Sequence, residues 1–194
     1  IYFIIVILFL SFVSKIASAT SLPEGASSAV LAVEYIRDAE LEYDIRTFLS
    51  VPEHFSWTPS ESKVFNMGIV KGAYGLRLVV KNERAHEKSH LVELAYPQID
   101  DINFFEMKEG QVERALTMGD KLPYDQRPLP TLNFTVPIQL DAGEAKTYYL
   151  RVMSDGSLKI PLLLWDEYAF FISSDVQNQI YALFFGVLII ICLM

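Results

Sequence analysis

"LNFTVPIQLDAGEAKTYYLRVMSDGSLKIPLLLW", residues 132–165, carries the clearest pattern in the chain. Leu132, Phe134, Val136, Ile138 and Leu140 fall on one side of an extended segment, with Asn133, Thr135 and Gln139 on the other. In the next run Tyr148, Leu150 and Val152 share a side, and in the last Leu158, Ile160, Leu162 and Leu164 do. A beat of two marks strands with one buried face, as in an antiparallel sheet. Pro137 and Pro161 occupy outward positions, which predicts edge strands or bulges there, because proline has no N–H to give a ladder. Between the last two runs, Asp155-Gly156 predicts a type I′ hairpin, a turn that wants positive φ at both central residues.

The pattern spreads outward from this stretch. "AYGLRLVVK" (73–81) places Tyr74, Leu76, Leu78 and Val80 together. Weaker runs occupy 30–36, 63–67, 90–96, 100–107 and 112–117, with turn signals at Glu109-Gly110 and Gly119-Asp120. The sum is about eight or nine short strands, the mark of an all-β antiparallel sandwich. One short helix is expected near 40–49, where Leu41, Ile45, Phe48 and Leu49 recur at helical spacing. A second is expected from about residue 166 into the apolar C-terminal stretch.

Both ends differ from the middle. Residues 1–13 carry no charge, and Ala17-Ser18-Ala19 is a small-x-small triplet, so 1–19 reads as a secretory signal peptide. "IYALFFGVLIIICLM" (180–194) is also uncharged, and a spanning helix needs about 20 apolar residues. The expected division is therefore a signal peptide at 1–19, an extracytoplasmic sandwich at 20–172, and a linker with the start of a first transmembrane helix at 173–194. The lone cysteine, Cys192, lies in the apolar tail, so the exported domain depends on its core and not on disulfides. With 24 Asp+Glu against 16 Lys+Arg and no basic patch, nucleic acid is excluded as a partner.

One motif suggests chemistry. His86, Glu87 and His90 spell H-E-x-x-H, which on a helix sets two zinc ligands and a general base on one face. The residues before it, Lys81 to Arg84, are polar on every side, unlike a buried helix. The alternation of Val92, Leu94 and Tyr96 places "HLVELAY" in a strand and His86 with Glu87 in the loop before it. The match is read as chance, and no metal or other cofactor is assigned. Asp100-Asp101 does not supply a glycosidase pair, since neighbours on a strand point to opposite faces. No catalytic residues are assigned.

The binding candidates lie elsewhere. "LPYDQRPLP" (122–130) is stiffened by three prolines and holds Tyr124, Asp125 and Arg127. Arg127 offers a fork of donors to a ligand, or pins the loop by pairing with an acid such as Asp120. Trp165, with Asp166 and Tyr168, offers a ring to stack on a sugar, or an aromatic wedge near the membrane interface.

"VFNMGIVKGAYGLRLVVKN", "ELAYPQIDDINFFEM", "TMGDKLPYDQRPLP" and "LDAGEAKTYYLRVMSDGSLKIPLLLW", followed by an abrupt apolar helix, resemble the type 2 extracellular domain of bacterial seven-transmembrane receptors with diverse intracellular signalling modules. The resemblance covers roughly residues 30–170. One departure is Gly75, where that family usually has Trp. The resemblance implies a jelly-roll-like sandwich similar to carbohydrate-binding modules, with a carbohydrate or other small ligand. It implies a place at the bacterial cytoplasmic membrane, with the main domain in the periplasm or outside the cell. It also implies a cytoplasmic output module beyond these residues, such as a diguanylate cyclase, histidine kinase or phosphatase, and a homodimer in the full receptor. On this reading the chain stops inside its first transmembrane helix, which meets membrane lipid. The competing expectation is a membrane-anchored interaction or structural module with no small-molecule ligand.

Overall fold

The computed structural model describes residues 29–38, 49, 55–60, 64–69 and 72–193. Two units are present: a β-rich unit ending at Glu167, and a second containing the helix from Tyr168 onward. The proposed signal peptide lies outside the described residues. So does the helix expected at 40–49, apart from Leu49, which is helical.

The β unit is a two-sheet antiparallel sandwich, as its alternation predicts. Its strands are β1 (Ala29–Asp38), β2 (Thr58–Pro59), β3 (Val64–Ile69), β4 (Ala73–Asn82), β5 (Lys88–Leu94), β6 (Asp101–Lys108), β7 (Gln111–Met118), β8 (Phe134–Leu140), β9 (Ala145–Met153) and β10 (Ser157–Asp166). One sheet runs β2-β1-β4-β9-β6-β7 and the other β3-β10-β5-β8. Between them lies one apolar layer. The six-stranded sheet contributes Leu76, Leu78 and Val80 from β4, Ile102 and Phe104 from β6, and Tyr148, Leu150 and Val152 from β9. Facing them are Val92 and Leu94 from β5, Phe134, Val136 and Ile138 from β8, and Leu158, Ile160 and Leu162 from β10. These are the inward positions the period-two pattern names. Leu132 departs from it: it precedes β8 and is 62% exposed.

The two prolines are accommodated differently. Pro137 lies on β8, an edge strand, as expected. Pro161 lies on β10, which has a neighbour on each side. There the ladder passes from β3, paired up to Pro161, to β5, paired from Leu162. Pro161 has only to accept, and its carbonyl receives the Ala95 N–H at 2.9 Å.

The hairpin expected at Asp155-Gly156 does not form. β9 and β10 belong to different sheets, so this turn carries the chain across the sandwich. Its amides find side-chain acceptors in place of a cross-strand partner: Asp155 N–H donates to Asp100 Oδ2 at 2.8 Å and Gly156 N–H to Ser154 Oγ at 3.2 Å. Gly156 is not among the glycines with positive φ. The tight hairpin is instead β6–β7, where Glu109 (φ 51°) and Gly110 (φ 75°) supply the left-handed pair that a I′ turn demands.

β10 passes into α1 (Glu167–Leu193) with no intervening residue, as the expectation of a helix from about 166 requires. At about 1.5 Å per residue its 27 residues exceed the ~30 Å of a bilayer's hydrocarbon. It is long and apolar enough to cross a membrane.

The turn assignment is testable with two alanines. G110A forces a Cβ into a left-handed position and should cost about 1 kcal/mol or more. G156A meets nothing closer than 3.9 Å and should stay within about 0.5 kcal/mol of wild type in urea unfolding.

Candidate functional site

The H-E-x-x-H residues are not on a helix. β4 ends at Asn82, residues 83–87 form a bend, and β5 begins at Lys88. His86 is exposed in the connection, whereas His90 is fully buried on the interior face of β5. Asn82 shapes this bend. Fully buried, it donates to the carbonyls of His86 (2.9 Å), Leu140 (3.2 Å) and Asp141 (3.0 Å), and its Oδ1 accepts from Arg84 N–H at 3.0 Å. One side chain thus ties the β4–β5 and β8–β9 connections together.

The proline-rich loop brings two candidates into contact. Tyr124 and Asp125 sit in a single 3-10 turn (Tyr124–Gln126) and are exposed. The Arg127 guanidinium lies between two rings, 4.9 Å from the Tyr124 centroid and 4.5 Å from that of Phe134. Its Nη1 donates to the carbonyls of Thr131 (2.9 Å) and Leu132 (2.6 Å). Main-chain carbonyls, and not Asp120, receive Arg127 Nη1.

Trp165 stands apart from these three. It is 6% exposed on the outer face of β10, and its indole N–H donates to Glu93 Oε2 at 2.6 Å. Glu93 is nearly buried, and its other oxygen accepts from Asn133 Nδ2 at 2.6 Å. Thr131 Oγ1 meets Thr135 Oγ1 at 3.2 Å close by. The segment before β8 therefore folds back over the outer face of the four-stranded sheet, and Glu93 is the acceptor that holds it to Trp165.

A different group of residues occupies the outer face of the six-stranded sheet. Because Tyr148 points inward, Tyr149 points outward. Trp57 packs against it, ring centroids 5.9 Å apart at 55°. The Arg77 guanidinium lies 5.1 Å from the Trp57 ring and is ion-paired with Glu34 of β1. Gly75 is on the same face of β4, between Ile36 of β1 and Arg151 of β9. A Trp here, as the resemblance leads one to expect, would thus project from the outer face and not into the core. Tyr149 also lines a cavity of about 550 Å³, together with Leu49, Met107, Lys108 and Thr147. Sequence reasoning passed over this group. Trp57 is one of only two tryptophans, and Tyr149 is an aromatic at an outward position of a strand. Those were the available signals. The pairing of Glu34 with Arg77 depends on the register of β1 against β4, which composition does not reveal.

A polar cleft of about 670 Å³ opens between edge strands β7 and β8. Glu106, largely buried, accepts from Lys146 Nζ at 3.0 Å, and Arg114 Nη1 bridges to the Pro137 carbonyl at 2.8 Å. Burial works to lower the Lys146 pKa, but the hydrogen bond and charge of Glu106 outweigh it and hold it above the usual lysine value. Tyr148, behind the floor, has its phenol pushed well up by burial and by the charge of Glu106.

The geometry can be set beside known proteins. The profile of the family "7TMR-DISM extracellular 2" matches residues 31–166. The chain belongs to this family. Its members are extracellular domains, a non-catalytic class, and this one ends where α1 begins. Among curated proteins none matches. Solved structures similar to this 7TMR-DISM domain include the PA14 domain of the MpAFP antifreeze protein, at 10% identity and a TM-score of 0.34, covering 76% of this chain and 88% of that one. A family 35 carbohydrate binding module from Clostridium thermocellum is similar at 11% identity and a TM-score of 0.28, covering 72% and 92%. An epithelial adhesin A domain from Candida glabrata, in complex with beta-lactose, is similar at 7% identity and a TM-score of 0.33, covering 73% and 84%.

The Glu93 contacts predict a graded response. E93A strands the Trp165 and Asn133 donors and should cost about 2–3 kcal/mol in urea unfolding followed by circular dichroism. E93Q keeps one acceptor oxygen and should cost less.

Proposed function

We propose that this chain is the sensor of a bacterial membrane receptor, binding a carbohydrate or similar small polar ligand outside the cytoplasmic membrane. On this reading α1 anchors the domain and carries the signal to further membrane helices and a cytoplasmic output module. Membership of an extracellular receptor-domain family supports the sensor role. The observation that carries the ligand reading is the group on the six-stranded sheet: the Trp57–Tyr149 ring pair beside the Arg77–Glu34 ion pair.

A sugar ring presents C–H groups on its faces and hydroxyls at its rim. Aromatic rings suit the first, and rigid planar donors and acceptors suit the second. Arg77 is already held by Glu34 and by the Trp57 ring, so little side-chain freedom is lost when a ligand arrives. The adjoining cavity, about 550 Å³, falls within the range that small-molecule sites occupy.

Signal transfer follows from chain continuity. β10 pairs with β5 up to Asp166, and Glu167 already belongs to α1, so no flexible spacer separates sheet from helix. A ligand that favours one arrangement of the β unit shifts the population of whatever state of α1 accompanies it.

Two experiments test this reading. Sugars and envelope glycans are screened by thermal shift, because a ligand that binds only the folded state raises Tm. W57A should weaken a hit by about 30-fold, the loss expected for a central aromatic anchor. If no glycan raises Tm, the competing reading of a ligand-free interaction module takes its place. In the full receptor, three Gly/Ser residues inserted between Asp166 and Glu167 should leave binding intact and abolish the response.

A further inference from the structure

The corner of the four-stranded sheet where β10 ends holds charges that ligand binding does not use. His90 of β5 is fully buried and is the ladder partner of Asp166, the last residue of β10. Directly opposed residues project to the same face. Lys88, two residues earlier on β5, is ion-paired with Asp166, and Arg84 from the 83–87 bend approaches the same carboxylate at 3.9 Å. On the other side of His90 lies Ile138 of β8, which is apolar. The residue after Asp166 is the first of α1.

A neutral imidazole suits this corner. A protonated one sets a third cation beside Lys88 and Arg84, which share the Asp166 carboxylate, and the ring that would carry this charge is fully buried. Burial is the largest influence on His90 and holds its pKa below the usual 6.5; Lys88 and Arg84 push the same way, against the Trp165 backbone hydrogen bond and the Asp166 charge.

We infer that this corner is an acid-sensitive latch: protonation of His90 frees the end of β10 from β5, one residue before α1 begins, so the sensor responds to external acidity as well as to its ligand. The latch stands independently of the ligand site. Well above pH 6.5 the imidazole is neutral whether the strand end is held or released, and the latch keeps its full stability. Below it the released state takes up a proton that the held state refuses. The held state then loses ground, by up to about tenfold per pH unit, until the pKa of the held state is passed.

Hydrogen exchange of the full chain in lipid nanodiscs, from about pH 7.5 to 5.5 and corrected for intrinsic rates, reads the latch directly. Protection of amides 162–168 should fall by up to about tenfold per pH unit below 6.5, while β6 and β9 stay protected. H90Q should remove that dependence. D166N deletes the acid that favours the imidazolium and should lower the NMR titration midpoint of the His90 ring, whatever it does to baseline protection. The proposal is overturned by protection at 162–168 that ignores pH, by an unchanged dependence in H90Q, or by a His90 ring midpoint in D166N that stays or rises. Should H90Q fail to fold, D166N and the NMR titration of the wild-type His90 ring carry the test. A ring midpoint at 6.5 or above sinks the proposal.

Discussion

One apolar layer between two sheets is the constraint from which the rest follows. Packed sheets stand about 10 Å apart, so each strand can bury only its alternate residues, and all must reach the same layer. The chain meets this by changing sheets repeatedly: β4 to β5 to β6, then β7 to β8 to β9 to β10. A connection that changes sheets has no ladder partner for its amides and carbonyls, and those groups cannot be left unpaired where water is excluded. Side chains take up the task. Asn82 holds two connections at one end, the Asp100 carboxylate holds the β9–β10 turn, and Arg127 holds the approach to β8. Polar residues that resemble binding candidates in the sequence are, in several cases, the fastenings of these crossings.

The outer faces of the two sheets then take different characters. Over the four-stranded sheet, Trp165, Glu93, Asn133 and Thr135 close on one another, and little of them meets solvent. Over the six-stranded sheet, Trp57, Tyr149, Arg77 and Glu34 assemble beside a cavity. The first arrangement stiffens the sheet that leads into α1. The second gathers two rings and a charge pair beside that cavity.

How much of this was legible beforehand differs from residue to residue. Tyr74 through Val80 and Phe134 through Leu140 announced their buried faces, because a strand's side chains must alternate whatever it pairs with. Asp155-Gly156 misled for a related reason: alternation states which face is buried and says nothing about which strand lies alongside. The H-E-x-x-H spacing has its chemical meaning only on a helix, and the alternation beyond His90 already spoke against one. Arg127 was recognisable as a loop residue of consequence, but its acceptors are the carbonyls of Thr131 and Leu132, and a carbonyl has no identity in a sequence. Trp165 gave no hint of Glu93, which is 72 residues away.

By itself, the amino-acid order determined the class of fold, its inward residues, the apolar helix after the last strand and the family to which the chain belongs. These depend on local periodicity and composition, which every residue carries with it. Tertiary structure alone decided which strands are neighbours, which turns cross the sandwich, and which charges meet. It set His90 against Asp166 and Trp57 against Arg77 and Tyr149, because ladder register and sheet order are properties of the whole packed layer and are written at no single position.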